Sequence, residues 1–362
     1  MRRHRRPLLA LVVAVGLIGG PVGPITAQNR PKVAYIYVGP VGDAGWTFQH
    51  DQARKYLEQT LGADTKFVES VPETAEVTRV LEQFISEGYK TIFATAFGYQ
   101  TFNLEAAKKH PDAHIIGIGP AIGLAPNVKT IYGRIWEGRY LTGIVAGKMT
   151  KANIIGFVAA HPISTVVAGV NAFALGVWSV NPAAKIKVIW TRTWYDPPKE
   201  KSAAQTLVDA GADVIAQHQD TPSALQAAAG GGRFGIGSES NMQRFAPAAY
   251  LTGTIWDWRE LDASIVKSVM SGHFTSEDYY GGLVDKVVSL GPFNDKVPDS
   301  VRSMVQDRTK GIAGGTFQVF RGPLKDQSGA SRVAAGKTMT LKEVLAFDWL
   351  IQGIEGQSPK AK

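Results

Sequence analysis

Carboxylates and tryptophans keep recurring together along this chain, each time just after a short apolar run. Asp43 precedes Trp46, Trp194 precedes Asp196, and Trp256 and Trp258 flank Asp257. Four of the eight tryptophans fall at such places, and Trp136 stands at the start of an amphipathic stretch with Glu137 beside it. Phe97-Gly98-Tyr99, Gly119-Pro120, His161, Gln219-Asp220 and Ser238-Glu239 follow other apolar runs. Aromatic faces next to acceptors suit a flat, polar-edged ring: the faces stack and the carboxylates accept from its N–H groups. Each tryptophan alone could equally pack an interface between lobes; their grouping on one edge favours a ligand.

Catalytic patterns are weak by comparison. HExxH, GxSxG and GxxxxGK[ST] are all missing, and Gly117-Ile118-Gly119 with Gly123 lacks the dinucleotide spacing. Gly230-Gly231-Gly232 precedes an apolar run and reads as a turn rather than a phosphate cradle. Pro111 separates His110 from His114, which disfavours a shared helical face and a metal pair. His161 and His218 stand at run ends with no Ser or Cys nucleophile beside them, and the chain has no cysteine. The expectation is no catalytic residue, no metal and no cofactor.

The elements that must position these residues alternate in kind. Strand candidates cover 32–38, 91–97, 114–118, 154–159, 186–190, 213–218, 234–237 and 250–255, apolar and β-branched with little alternation, as in strands buried on both faces. Helix candidates cover 47–61, 74–87, 101–109, 137–149, 166–180, 199–209 and 260–271. The clearest has Val77, Val80, Leu81, Phe84 and Ile85 on one face, with Gly88 placed to end it. Strand alternating with helix predicts an α/β class with doubly wound parallel sheets, whose ligands bind at the carboxyl ends of the strands. A polar interval near residue 150 divides two similar lobes. Beyond residue 290 the chain is rich in Gly, Pro, Asp and Lys; it offers an extended piece at 316–320 and a helix at 341–351.

Length and charge bound the function. The 362 residues carry a net charge of +8. Residues 1–27 have an Arg-rich start, an uncharged apolar stretch at 8–20 and a small residue, Ala27, before a plausible cut, which together predict an exported chain. A membrane anchor is the competing reading, but the apolar stretch falls short of the roughly 20 residues that span a bilayer. The leader holds four arginines and no acid, so its removal leaves +4. Lys108-Lys109 and the Lys199/Lys201 pair are isolated, and no basic stripe marks a nucleic-acid partner.

Four ordered motifs, Gly42-Asp43-Ala44-Gly45-Trp46, Ala96-Phe97-Gly98-Tyr99, Glu137-Gly138-Arg139-Tyr140-Leu141-Thr142-Gly143 and Trp194-Tyr195-Asp196-Pro197, resemble the basic membrane protein (BMP) family of ABC-importer substrate-binding proteins, its purine-binding members above all. The resemblance runs from about residue 32 to about 320, and Phe347-Asp348-Trp349 to Gly356 is similar to a family ending. It implies a type I periplasmic-binding-protein fold with discontinuous lobes: 28–149 plus about 254–280, then 150–253 plus about 281–320, then an extension at 321–362. It implies stacking by Trp46 and Trp194, an acidic site position at Asp43, a loop Phe97-Gly98-Tyr99, and polar positions at Asp220 and Ser238-Glu239. Glu239 and Gly119 depart from acids that nucleoside-binding members carry, which favours a free nucleobase. Adenine is expected, because Asp220 or Glu137 accepts from an exocyclic amine; Trp256 and Trp258 complete the candidate set. The alternatives are a purine nucleoside or riboflavin binder of the family, an exported nucleoside-processing hydrolase, or a sensor module. The implied partner is an inner-membrane permease. The expected protein is a periplasmic monomer and, with no cysteine to lipidate, not a lipoprotein.

Overall fold

In the computed structural model, which describes residues 30–357, the apolar runs become strands and the amphipathic runs the helices between them. The expected leader lies outside the described residues. The first half runs β1 (Lys32–Ile36), α1 (Trp46–Leu61), β2 (Asp64–Val68), α2 (Glu76–Ser86), β3 (Thr91–Ala94), α3 (Gln100–Lys109), β4 (His114–Ile118), β5 (Val128–Gly133) and α4 (Ile135–Met149). The second runs β6 (Ile154–Ala159), α5 (Ser164–Trp178), β7 (Lys185–Trp190), α6 (Pro197–Asp209), β8 (Val214–His218), α7 (Ser223–Gly230), β9 (Phe234–Gly237) and β10 (Tyr250–Trp256). Then come α8 (Arg259–Met270), β11 (Asp278–Gly281), β12 (Val288–Leu290), α9 (Asp299–Ala313), β13 (Leu324–Lys325), β14 (Ser331–Val333), α10 (Leu341–Val344) and β15 (Ile354–Gly356).

Two sheets result. The first has the order β11-β5-β4-β3-β1-β2 with every pair parallel, and the second β12-β10-β9-β8-β6-β7-β15, parallel except at β12. Neither is made from one stretch of chain. Helix α4 carries the chain from the first sheet to the second. Helix α8 brings it back, packing on α1, and Tyr35 of β1 donates to Asp262 of α8 at 2.9 Å. Strand β11 then edges the first sheet and β12 returns to the second. The α/β class with parallel sheets is as expected.

Helix α2 shows how locally some of this is written. Val77, Val80, Leu81 and Phe84 are wholly buried, each contributing about 1.5–3 kcal/mol of transfer free energy. Gly88, at φ +84°, ends the helix: its N–H bonds Ile85 and that of Tyr89 bonds Phe84, the paired closure of a left-handed C-terminal cap.

Several elements differ from expectation. The strand placed at 91–97 ends at Ala94, and Phe97–Tyr99 is a 3-10 turn. β2, β5 and the late strands β11 to β15 were not anticipated. β2 is a half-exposed edge strand, and β5 carries a buried Lys129 whose ammonium reaches Glu277, so neither reads as an apolar run. α7 and α9 were also missed. Residues 316–320 form turns, not a strand. The helix placed at 341–351 is the single turn α10, started by a Thr340/Glu343 capping box. Beyond it Asn171 of α5 holds the irregular chain that follows, donating to Trp349 O at 2.9 Å and accepting from Ile351 N at 3.0 Å. That contact, with β15 beside β7, ties the last described residues to the second sheet.

Candidate functional site

Both sheets turn their strand ends onto one cavity of about 430 Å³ of atom-free space, mouth included. From the first come Val38, Trp46, Thr95, Ala96, Phe97, Ile118, Gly119 and Tyr132; from the second Ile163, Trp194, His218, Asp220 and Glu239.

The loop after β1 is organised by Asp43. Its buried carboxylate accepts from the backbone N–H groups of Gly45 (2.8 Å), Thr47 (2.8 Å) and Phe48 (2.9 Å), the open end of α1. Burial raises its pKa to about 6, and those three N–H groups oppose the rise. Asp43 does not line the cavity; it fixes the turn that delivers Trp46. The Trp46 indole N–H is taken by Thr95 O at 2.7 Å, so its contribution to a ligand is its ring face.

Trp256 and Trp258 stand behind Trp46, edge-on to it at 5.7 and 5.6 Å, and both are fully buried. Sequence placed them at the cavity; the structure makes them its backing, because the chain turns inward toward α8 after β10. Tyr99 is likewise buried, its hydroxyl donating to Val71 O at 2.5 Å. Gly98 lies beside the site: its N–H donates to Glu73 Oε1 at 2.7 Å, and a Cβ there would come 2.6 Å from the Glu73 carboxyl carbon. Glu73 also accepts from Trp194 Nε1 at 3.4 Å, so it joins loops of both lobes.

Glu137 is not at the cavity. It sits in the first turn of α4, where its carboxylate pairs with Arg134 at 2.6 Å and accepts from Leu283 N at 2.8 Å. Its neighbour Arg139, part of the same motif but not expected at the site, matters more. That guanidinium is fully buried and donates to Gln217 O (2.7 Å), Ser238 Oγ (2.6 Å) and Glu239 Oε1 (3.2 Å). Glu239 also accepts from Ser238 Oγ and Trp256 Nε1. Burial pushes the Glu239 carboxyl up and the Arg139 guanidinium down, and each partner's charge opposes the shift. His218, 3.8 Å from Glu239, is held neutral by burial and by Arg139. Ser238 braces this pair and is not on the cavity wall.

Asp220 stands apart. It lines the cavity with only 4% of its surface exposed, and no group among the described residues donates to its carboxyl. Burial, then the charges of Asp43, Glu239, Glu200 and Glu73, push it well above the carboxylate range. Tyr132 and Thr95, also on the wall, were missed because β5 was missed and because the 91–97 run was read as continuous strand.

The lobes are closed on each other. Ser240 Oγ donates to Ala44 O, and Gly45 lies against the Asp220 backbone, where a Cβ would come 2.7 Å from its carbonyl carbon. Among the described residues no group of three or more His, Asp or Glu is arranged to hold a metal, and no helix is long and apolar enough to cross a membrane.

A family model for PnrA-like substrate-binding proteins of ABC transporters, Bmp, matches residues 30–313. A purine-binding protein of Brucella abortus is 36% identical over 358 residues, covering 98% of this chain and 100% of that one. A putative ABC-transporter glucose-binding protein of Haloferax volcanii is 35% identical over 343 residues, 94% of this chain and 83% of its own. Among solved structures, an ABC-transporter solute-binding protein from Conexibacter woesei matches with a TM-score of 0.67 at 25% identity, covering 80% of this chain and 98% of that one. The fold is the type I fold of periplasmic solute-binding proteins.

Proposed function

The chain belongs to the Bmp family of PnrA-like ABC-transporter substrate-binding proteins, so it binds a small-molecule solute and serves a membrane permease, and from that premise we propose that the solute is a purine, the nucleobase adenine. The observation that carries this reading is the pairing of aromatic walls, Trp46, Phe97 and Trp194, with an Asp220 carboxyl that has no donor of its own. A flat ring stacks on the first and its exocyclic amine satisfies the second. Glu239, committed to Arg139, Ser238 and Trp256, has little left for a ribose hydroxyl pair, and Gly119 supplies no side chain. The mechanism is capture by lobe rotation: the ligand docks on one lobe, then the Ser240–Ala44 and Glu73–Trp194 contacts form over it. The leader pattern of residues 1–27 supports a periplasmic site of action.

The glucose-binding relative favours a second reading, a sugar, whose hydroxyls the same carboxyls could accept from. Calorimetry on refolded, ligand-free protein separates them. Adenine should bind, with hypoxanthine, adenosine, guanosine, riboflavin and glucose weaker. Heat with glucose and none with any purine overturns the proposal. Following adenosine for turnover in the same samples distinguishes capture from hydrolysis.

Trp46→Ala should weaken adenine binding by about 1–3 kcal/mol, the usual worth of an aromatic stack on a base, or roughly 5- to 150-fold. Trp46→Phe, which keeps a face to stack, should recover much of it. Unchanged affinity in the alanine variant would remove Trp46 from the site.

A further inference from the structure

Two carboxyls meet across the closed cleft in opposite circumstances. Asp43 receives three backbone N–H groups at the open end of α1, where a negative charge is stabilised. Asp220, pressed against Gly45 of the same loop, receives none. Every other acid that faces it adds negative charge: Glu73 after β2, Glu200 of α6 and Glu239 after β9. The buried cation Arg139 turns its terminal N–H groups to Gln217, Ser238 and Glu239, not to Asp220. His218 is neutral, and the Thr221 hydroxyl next in sequence donates to Glu200. A buried anion without donor or counter-ion is costly, and such a group takes a proton instead. When two neighbouring carboxyls differ this way, charge settles on the solvated or hydrogen-bonded one and the proton on the other.

We propose that Asp220 meets the ligand as a neutral carboxylic acid, its O–H donating to a ring nitrogen and its C=O accepting from the adjacent exocyclic amine. This rests on the purine reading above. A neutral acid offers a donor beside an acceptor, whereas a carboxylate only accepts. Adenine presents the complement, the N7 acceptor beside the N6 amine; guanine presents two acceptors, N7 and O6, on that edge. The protonation state of one side chain thus selects between amine-bearing and oxo-bearing rings, and a site built on such pairs rejects the mismatched ring by large factors. Because the acid must be protonated to bind, adenine affinity declines as pH rises through its titration, approaching tenfold per pH unit.

The test is calorimetry with adenine from about pH 6.5 to about pH 9.5 on the full chain and two variants. Asp220→Ala removes both hydrogen bonds and should lose at least about tenfold. Asp220→Asn, a permanently neutral side chain with the same donor–acceptor pair, should recover most of that loss and abolish any pH dependence. Wild-type affinity should fall with rising pH, or stay flat if the acid is neutral throughout, in either case with the asparagine rescue. Failure of Asp220→Asn to rescue, wild-type affinity that rises with pH, or full affinity in Asp220→Ala each overturns the proposal while leaving a purine binder. Absence of adenine binding at every pH overturns the purine reading and this proposal with it.

Discussion

Arg139→Met destabilises the folded protein by about 3–5 kcal/mol at neutral pH, the usual cost of removing one partner of a buried ion pair. The side chain is wholly buried, on the helix that carries the chain between sheets, and it satisfies three acceptors on the second. Methionine fills the volume with no donor. Gln217 O then loses its 2.7 Å partner, and Glu239 keeps its desolvation without its counter-charge. The deficit depends on pH, and its sign follows from Glu239. Burial already raises that carboxyl and Arg139 holds it down, so in the variant its folded pKa stands higher still above the unfolded value of about 4.3. A group with a raised folded pKa contributes least above that pKa, so the variant's deficit is larger at pH 8 than at pH 5. Urea midpoints at the two pH values measure this. Adding Glu239→Gln to the methionine variant should return part of the loss, since the uncompensated charge is gone. A single variant as stable as the parent at pH 8 would show that the pair is idle.

Gly45→Ala acts on affinity as well as on stability. Gly45 has φ −130° and ψ −116°, outside the α and β regions open to a residue with a Cβ, so alanine strains this turn in the open and the closed form alike. The added carbon meets the Asp220 carbonyl carbon at 2.7 Å only across the closed cleft, and backbone on backbone has no side chain to swing aside. Overpacking of this kind costs about 1–3 kcal/mol and falls on the closed form alone, so affinity should fall roughly 5- to 150-fold, while the backbone strain shows separately as lower stability. Calorimetry and a urea midpoint on the same variant separate the two effects. Wild-type affinity would mean that ligand is held without this closure.

What the sequence disclosed about the site, it disclosed through geometry that is local. Trp46, Phe97, Trp194, Asp220 and Glu239 follow apolar runs, and strand ends face the cleft in this class of fold, so position along the chain sufficed. Trp256 and Trp258 satisfy the same rule and yet point into the protein, because the turn toward α8 is decided by packing on α1, more than 200 residues earlier (the Tyr35–Asp262 bond spans 227). Glu137 was drawn in by its type; its partner Leu283 lies 146 residues away, beyond any spacing argument. Arg139 looks like one more polar residue on a helix, and only its depth shows that it anchors Glu239. Of the three missed strands of the first sheet, β5 carries lysine and β2 and β11 stand at its edges, and their identity depends on neighbours contributed from elsewhere in the chain.

The interleaving of the two sheets also sets when the molecule can become rigid. The first sheet has no edge strand at β5 until residues 278–281 arrive to form β11, and β1 lacks its bond to α8 until residue 262 is present. Contacts of such long separation are made late and make folding slow. A chain emerging residue by residue therefore cannot lock its first lobe before most of the second has been synthesised. It stays loose through most of its synthesis, and fastens both halves almost together once the last crossovers are in hand.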